Sequence, residues 1–450
     1  MVVLTKKEKL ASHHPEFEAN IVDISHEGRG IAEINGKKTF IFGALPGEKI
    51  KFHYRVVKKN YDEGIATEIM SLSDDRVTPH CPHFGTCGGC QLQHLDSRAQ
   101  IQLKQSTVLS QLKHIAHTVP KTVLSPIIGP LKGYRRKARL GVKYVTKKQK
   151  VLIGFRELNS PFITELSQCD NLYPLVSRLI PDLQSLISRL ESYQFIPQIE
   201  VSVGYDDNEV ALIFRHLKSL SQLDLDLLTQ FASSHKINLF LQPKGPESIY
   251  CLWPSNEKVF LRYRLEQQNL IFDFHPSSFT QINHEINQLA VNEAIKLLNP
   301  KPNELILDLF CGIGNFSLPL AQYASQVVGV EGSAQAVINA KHNAQLNSIS
   351  NVEFYLQDLS LQPDNQWSFL NFDSVLLDPP RTGAYNLMQW LALKKPKQIL
   401  YISCKSATMA RDAAYLIAHG YQLDKVGVMD MFPHTAHVES IALFKLKSAK

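Results

Sequence analysis

Three cysteines fall within ten residues in Cys81-Pro-His-Phe-Gly-Thr-Cys87-Gly-Gly-Cys90, on a loop where separate core roles for them are implausible. Gly88 and Gly89 let the backbone curl tightly between the last two thiols. Sulfurs crowded in this way suit a shared metal or iron–sulfur centre. A four-ligand centre needs one more thiolate, and Cys169 in Leu-Ser-Gln-Cys-Asp is the best candidate. The fold must then return to this loop from far down the chain. Zinc is the rival occupant, since four thiolates also suit it. The spacing is unlike the paired Cys-x2-Cys knuckles of zinc sites, which favours a cluster.

The thiols also bear on the compartment. Seven cysteines, an odd number with three crowded together, argue against a secreted disulfide framework. Residues 1–9 lack the apolar core of a secretory signal, and no apolar run is long enough to cross a membrane. A cytoplasmic protein with no membrane partner is expected. The formal charge of +6 decides little, but its distribution says more. Lys58-Lys59, Tyr134-Arg135-Arg136-Lys137-Ala138-Arg139 and Lys147-Lys148-Gln149-Lys150 lie in the first third, interleaved with Tyr54, Tyr61 and Tyr144. Such clusters hold phosphates and stack bases, or else cap solvated loops, as residues 147–150 do between two strand-like runs.

The 450 residues divide into about three regions. Residues 14–73 carry five short strand patterns, around 21–24, 30–34, 38–42, 49–57 and 64–69. Turn signals at Asn35-Gly36 and Leu45-Pro46-Gly47-Glu48 separate them, which predicts a small barrel of the oligonucleotide-binding type. Residues 74–271 read as an α+β domain that carries the cysteine site, with a helix over about 96–117 after the loop. From 272 to 450 apolar strands alternate with helices, the pattern of a doubly wound, Rossmann-like α/β domain whose ligands sit at the carboxyl ends of the strands.

In this last region Asp308-Leu-Phe-Cys-Gly312-Ile-Gly314-Asn315 ends the first strand, and Glu331 ends the second where an acidic residue meets ribose hydroxyls. Ser317 stands where a dinucleotide fingerprint has its third glycine. The pattern suits S-adenosylmethionine, which has no pyrophosphate. Asp358, after the third strand, could accept from an adenine amino group, and Cys311 only fills space. Asp378-Pro-Pro-Arg381 ends the fourth strand with a rigidly placed acceptor, because two prolines fix the backbone and remove its donors. Cys404 follows the fifth strand, and Glu439 stands just before the last.

A thiol, a carboxylate and a methyl donor fit one reaction. Carbon 5 of uracil is too weak a nucleophile to take the sulfonium methyl until a thiolate adds at carbon 6. Cys404 is then the nucleophile, and Glu439 the base that removes the carbon 5 proton.

These motifs together resemble the bacterial 23S ribosomal RNA uracil-5-methyltransferases of the iron–sulfur branch, over nearly the whole chain. Gly28-Arg-Gly-Ile-Ala and Ala44-Leu-Pro-Gly-Glu are similar to the family's N-terminal TRAM barrel, an RNA-binding module. The resemblance implies a 4Fe-4S cluster on Cys81, Cys87, Cys90 and Cys169. It also implies a cofactor site lined by Gln281, Phe310, Asn315, Glu331, Asp358 and Asp378, with Gln281 resting on resemblance alone. Lys405-Ser406 departs from the commoner Asn-Pro after the family's nucleophile. The family further suggests that the helix following the cysteine loop packs on the catalytic domain. The implied partner is 23S ribosomal RNA and the expected state a monomer. Three alternatives stand beside this reading: the same chemistry on another ribosomal uridine or the transfer RNA T-loop, a radical enzyme, and a non-catalytic RNA-binding protein.

Overall fold

The computed structural model describes residues 15–205, 209–255 and 260–447. Residues 1–9, considered above for a signal, and residue 14, the expected start of the first region, lie outside the described residues. Among the described residues four sheets form, of six, six, two and eight strands. No helix among them is long and apolar enough to cross a membrane.

The first sheet comprises Phe17–Asn20, Asp23–Ile24, Gly30–Ile34, Lys37–Phe42, Lys49–Val57 and Tyr61–Ser71. The single strand expected over 21–24 is broken, and the break has a physical reason. Ile21 N–H donates to Glu48 O and Val22 N–H to Ile31 O, both at 2.9 Å. These two residues therefore bridge the sheet's two edge strands, and the sheet curls around Ile21, Ile41, Ile50 and Phe52.

The central sheet runs Tyr250–Trp253, Asn238–Gln242, Val210–Arg215, Gln198–Val203, Lys137–Val145 and Lys150–Gly154. The helix Pro174–Arg189 packs on it through Val176, Leu179, Ile180, Leu183, Leu186 and Ile187, a helical stripe of apolar residues. The basic run 134–139 largely turns inward. Tyr134 is buried and its hydroxyl donates to Pro433 O at 3.0 Å. Arg136 lies over the rings of Tyr173 and Tyr205, at 4.3 and 5.1 Å, and donates to Gly204 O. Lys137 donates to Pro276 O at 3.1 Å and to Ser278 O, and burial lowers its pKa to about 8. These side chains tie the central sheet to the segments beside it. Arg139 points outward, paired to Glu200.

The last sheet has the order Val352–Leu356, Gln326–Glu331, Leu305–Leu309, Ser374–Leu377, Gln398–Ser403, Glu439–Leu446, Tyr421–Met429 and Thr122–Val123. Its first five strands are parallel and almost continuously apolar, as strands covered on both faces are. The strand order reverses beside Leu305–Leu309, so the crevice opens at the ends of that strand and Ser374–Leu377. An early segment joins this domain. The helix Ser97–Ile115, capped by Asp96, buries Val108 and Leu112 in one core with Met409, Ala413 and Leu416. Lys104 forms a buried ion pair with Asp430 at 2.7 Å. The hairpin Leu261–Leu265 and Leu270–Phe274 straddles residue 272 and packs against the α/β domain: Ile271 and Asp273 donate to Asn347 and Asn343.

Candidate active site

The end of Leu305–Leu309 is built to approach a ligand. Phe310 adopts a left-handed backbone (φ 64°), followed by Gly312 (57°) and Gly314 (93°). A side chain on Gly312 would meet nothing within 4 Å, so this glycine faces open space. Glu331 holds the loop in shape by accepting from Gly312 N at 3.1 Å and Ser333 N at 2.9 Å. Asn315 shares a reciprocal amide pair with Asn287, both bonds 2.9 Å, and accepts from Tyr263. Gln281 lines a small pocket with Tyr263 and Asn287, which brings it to the Asn315 group. Asp358 is exposed on the same rim, its pKa lowered by hydrogen bonding from Ser360. Tyr263 and Asn287 carry no motif, and only the packing of the hairpin reveals them.

Under this rim sits a knot of carboxylates. Asp308 is fully buried, accepts from Ser317 Oγ at 2.5 Å, and among the described residues has no hydrogen-bond partner for its other oxygen. Burial, with repulsion from Asp378 and Glu331, raises its pKa to about 7. Burial also raises Asp378 to about 7, although its side chain is only half-buried by exposed area. Cationic ligands relieve such repulsion.

Sheet register brings the two chemical candidates together. Ser403 pairs with Ser440 antiparallel, so Cys404 and Glu439 flank the next position on neighbouring strands. Glu439 is the first residue of its strand, paired with Met429, rather than preceding the strand. Burial pushes the Cys404 thiol up to about 11, with Glu439 and Asp378 adding to the rise and Arg381 opposing it. Glu439 is raised well above the carboxylate range by burial and by Asp378, again opposed by Arg381. Arg381 is thus the balancing charge at this pair. It stands in the Asp-Pro-Pro-Arg motif, yet its spacing alone gave it no role.

Arg381 also lines a cleft of about 1630 Å³ that runs past the central sheet and the cysteine loop. Arg135, Arg139, Lys143, Lys148 and Lys150 line it with Arg156, and so do Thr435 and His437 from the loop before Glu439. The run 147–150 is therefore part of a basic wall, although Lys148 and Lys150 share Glu165.

Cys81, Cys87, Cys90 and Cys169 line one cavity with Phe84, Phe155 and Asn171. Asn171 donates to Cys90 Sγ at 3.1 Å, and Gly89 N–H to Cys87 Sγ at 3.4 Å. Among the described residues no group of three or more His, Cys, Asp or Glu is gathered so as to hold a metal ion. Cys311 is buried in the core.

The carboxyl-terminal part, residues 252–447, matches the tRNA (uracil-5-)-methyltransferase family model. The whole chain is similar to proteins named 23S rRNA (uracil(1939)-C(5))-methyltransferase RlmD. That of Legionella pneumophila (strain Lens) is 48% identical over 430 residues, covering 95% of this chain and 96% of the relative. That of Alcanivorax borkumensis is 44% identical over 448 residues, covering 99% and 100%. A solved structure, the tRNA (uracil-54, C5)-methyltransferase of Pyrococcus abyssi in complex with S-adenosyl-L-homocysteine, superposes with a TM-score of 0.72 at 25% identity, covering 95% of this chain and 100% of that one. By its full-length similarity, the chain belongs to the RlmD family of 23S rRNA uracil-C5-methyltransferases.

Proposed function

We propose that this protein transfers a methyl group from S-adenosylmethionine to carbon 5 of a uridine in bacterial 23S ribosomal RNA, in the cytoplasm, at the nucleotide its relatives' names give as 1939. The observation that carries the chemistry is the register that sets Cys404 against Glu439 at the rim, near Asp378 and near Arg381, which lines the basic cleft. S-adenosylmethionine supplies an electrophilic methyl group when bound. Gln281, Phe310, Asn315, Glu331, Asp358 and Asp378 would hold it: open Gly312 and the fixed Asn315 give it room and a polar anchor, and the carboxylates favour its positive charge.

Cys404 acts as thiolate, and its raised pKa means the resting site is mostly thiol. Arg381 favours the ionised form. The thiolate adds to carbon 6 of the flipped uracil, and the electron pair of the carbon 5–carbon 6 double bond moves to carbon 5 and the adjoining carbonyl. Carbon 5 would then take the methyl carbon as the methyl carbon–sulfur bond breaks, the electron pair of that bond leaving on sulfur as neutral S-adenosylhomocysteine. Glu439 takes the remaining carbon 5 proton in its carboxylate form, which burial and Asp378 disfavour and Arg381 supports. The pair of that C–H bond restores the double bond and expels the Cys404 thiolate from carbon 6.

The curled amino-terminal sheet fits the TRAM-type RNA-binding role. The four cysteines fit a 4Fe-4S cluster better than zinc. They line one cavity, and their spacing along the chain is unlike the paired Cys-x2-Cys knuckles of zinc sites. The cluster would be structural, since no redox step enters the reaction. Residues 14–73, 74–271 and 272–450 serve as the RNA-binding, cluster-bearing and catalytic units, with Ser97–Ile115 packed on the last. A monomer suffices for this chemistry.

Methyl transfer to 23S fragments and to transfer RNA, with the modified base identified after nuclease digestion, tests the reading. The expected product is 5-methyluridine in one 23S fragment. Methylation of transfer RNA alone would keep the chemistry and overturn the target.

A further inference from the structure

Glu439 is held by a loop that crosses from Asp430 to His437, and that loop is fastened from outside its own domain. His434 has a left-handed backbone (φ 65°), a conformation a non-glycine residue keeps only when its surroundings impose it. Both of its backbone polar groups are engaged. Its N–H donates to Gln100 Oε1 at 3.0 Å, and its carbonyl accepts from Gln91 and Leu92 N–H, each at 3.0 Å. Ala436 N–H donates to Gln91 Oε1 at 3.4 Å. Gln100 is 2% exposed, and its amide donates back to Leu92 O and Leu95 O at 3.0 and 2.8 Å. One turn further along the helix, Lys104 donates to Phe432 O at 3.0 Å and to Asp430.

A single glutamine therefore uses its acceptor on the base-bearing loop and its donors on the chain leaving the cysteine loop. Helix packing alone does not ask for a buried glutamine here; the backbone groups of the two neighbouring segments do. We propose that Gln100 is a positioning residue for proton removal from carbon 5, fixing the His434–His437 backbone so that Glu439 stands in register with Cys404. This rests on the assignment of Cys404 and Glu439 above. Addition and methyl transfer depend on Cys404 and the cofactor rim, on other strands. Loosening the loop should spare those steps and slow the last one.

The test is a single turnover of the iron-loaded protein with a 23S fragment and methyl-labelled S-adenosylmethionine. It resolves formation of the methylated covalent protein–RNA adduct from its decay to free RNA. Gln100→Ala should form the adduct within about twofold of the wild-type rate and release it roughly tenfold or more slowly, a part of what a general base supplies. Release at the wild-type rate in Gln100→Ala would overturn the proposal. So would equal slowing of both steps with weakened S-adenosylmethionine binding, which marks a general structural loss. Should Gln100→Ala not fold, Gln91→Ala removes the acceptor for Ala436 N–H and should slow release in the same direction; unchanged release there would overturn the proposal. Glu439→Gln run alongside separates the two claims: if it fails to accumulate methylated adduct, the base assignment itself fails.

Discussion

Replacing Asp308 by asparagine should stabilise the ligand-free protein above neutral pH and flatten the pH dependence of its stability. Asp308 is fully buried, with one carboxylate oxygen accepting from Ser317 and the other without a hydrogen-bond partner among the described residues. Its pKa stands near 7, against 3.8 for an ordinary aspartate. A carboxylate raised in this way keeps its proton in the native state after the unfolded chain has lost it. Its contribution is therefore full below about pH 3.8 and is lost as the pH climbs to about 7. About three pK units at ~1.4 kcal/mol each give a cost of about 4 kcal/mol once the group is ionised, of which about 2–3 kcal/mol develops between pH 5 and pH 8. Asparagine keeps the acceptor for Ser317 and never ionises, but puts an N–H donor where the unpaired oxygen stands, at about 1–3 kcal/mol. The absolute difference is thus small, while its change with pH is not. Urea unfolding at pH 5, 6.5 and 8 measures it, followed by tryptophan fluorescence; Trp367 and Trp390 both pack in the catalytic core. The variant should gain about 2–3 kcal/mol on the wild type between pH 5 and pH 8. A difference independent of pH would refute the reasoning.

The other expectations concern the thiol, the cofactor and the packing of the early helix. With its thiol at about 11, Cys404 should be alkylated by iodoacetamide about tenfold faster per pH unit from 7 to 10 in the ligand-free protein. Mass spectrometry of its peptide reads this, and a plateau below pH 9 would contradict the burial beside Glu439 and Asp378. S-adenosylmethionine should bind more tightly from pH 6 to pH 8, as Asp308 and Asp378 lose their protons near 7, than neutral-sulfur S-adenosylhomocysteine does over the same range. Calorimetry with both ligands decides it, and equal pH slopes would remove the charge argument. Leu112→Ala, at a fully buried position shared with the catalytic core, should cost about 2–5 kcal/mol and lower the melting temperature. Unchanged melting would show that the helix contributes no cohesion there.

How much of the site is legible in the sequence depends on where the chemistry sits. Cys404 and Asp378 directly follow apolar strands, Glu439 begins one and Asp308 is the next-to-last residue of another, and the strand-end rule finds such residues without long-range knowledge. Register, not composition, then sets Cys404 beside Glu439, and only the antiparallel return of the last strand supplies it. The basic run 134–139 misleads in part, because charge in a sequence does not say which way a side chain turns. Tyr134 and Lys137 are drawn inward by carbonyls of Pro433, Pro276 and Ser278, all remote in sequence. Gln100, Tyr263 and Asn287 are invisible for the same reason: each is one polar residue in an amphipathic element, and its partner lies far away along the chain. The break at Ile21–Val22 was hidden because both halves carry strand-like residues, and only closure of the sheet on Glu48 and Ile31 requires it.

The central claim is that Cys404 attacks carbon 6 of a uridine in 23S ribosomal RNA. A 23S fragment carrying 5-fluorouridine, offered with S-adenosylmethionine, tests it most directly, because fluorine at carbon 5 cannot leave as a proton does and elimination stops. The account predicts a stable protein–RNA adduct that carries the methyl group, maps to the Cys404 peptide, and is absent in Cys404→Ala. No adduct from the iron-loaded protein, or an adduct on a different cysteine, would contradict it.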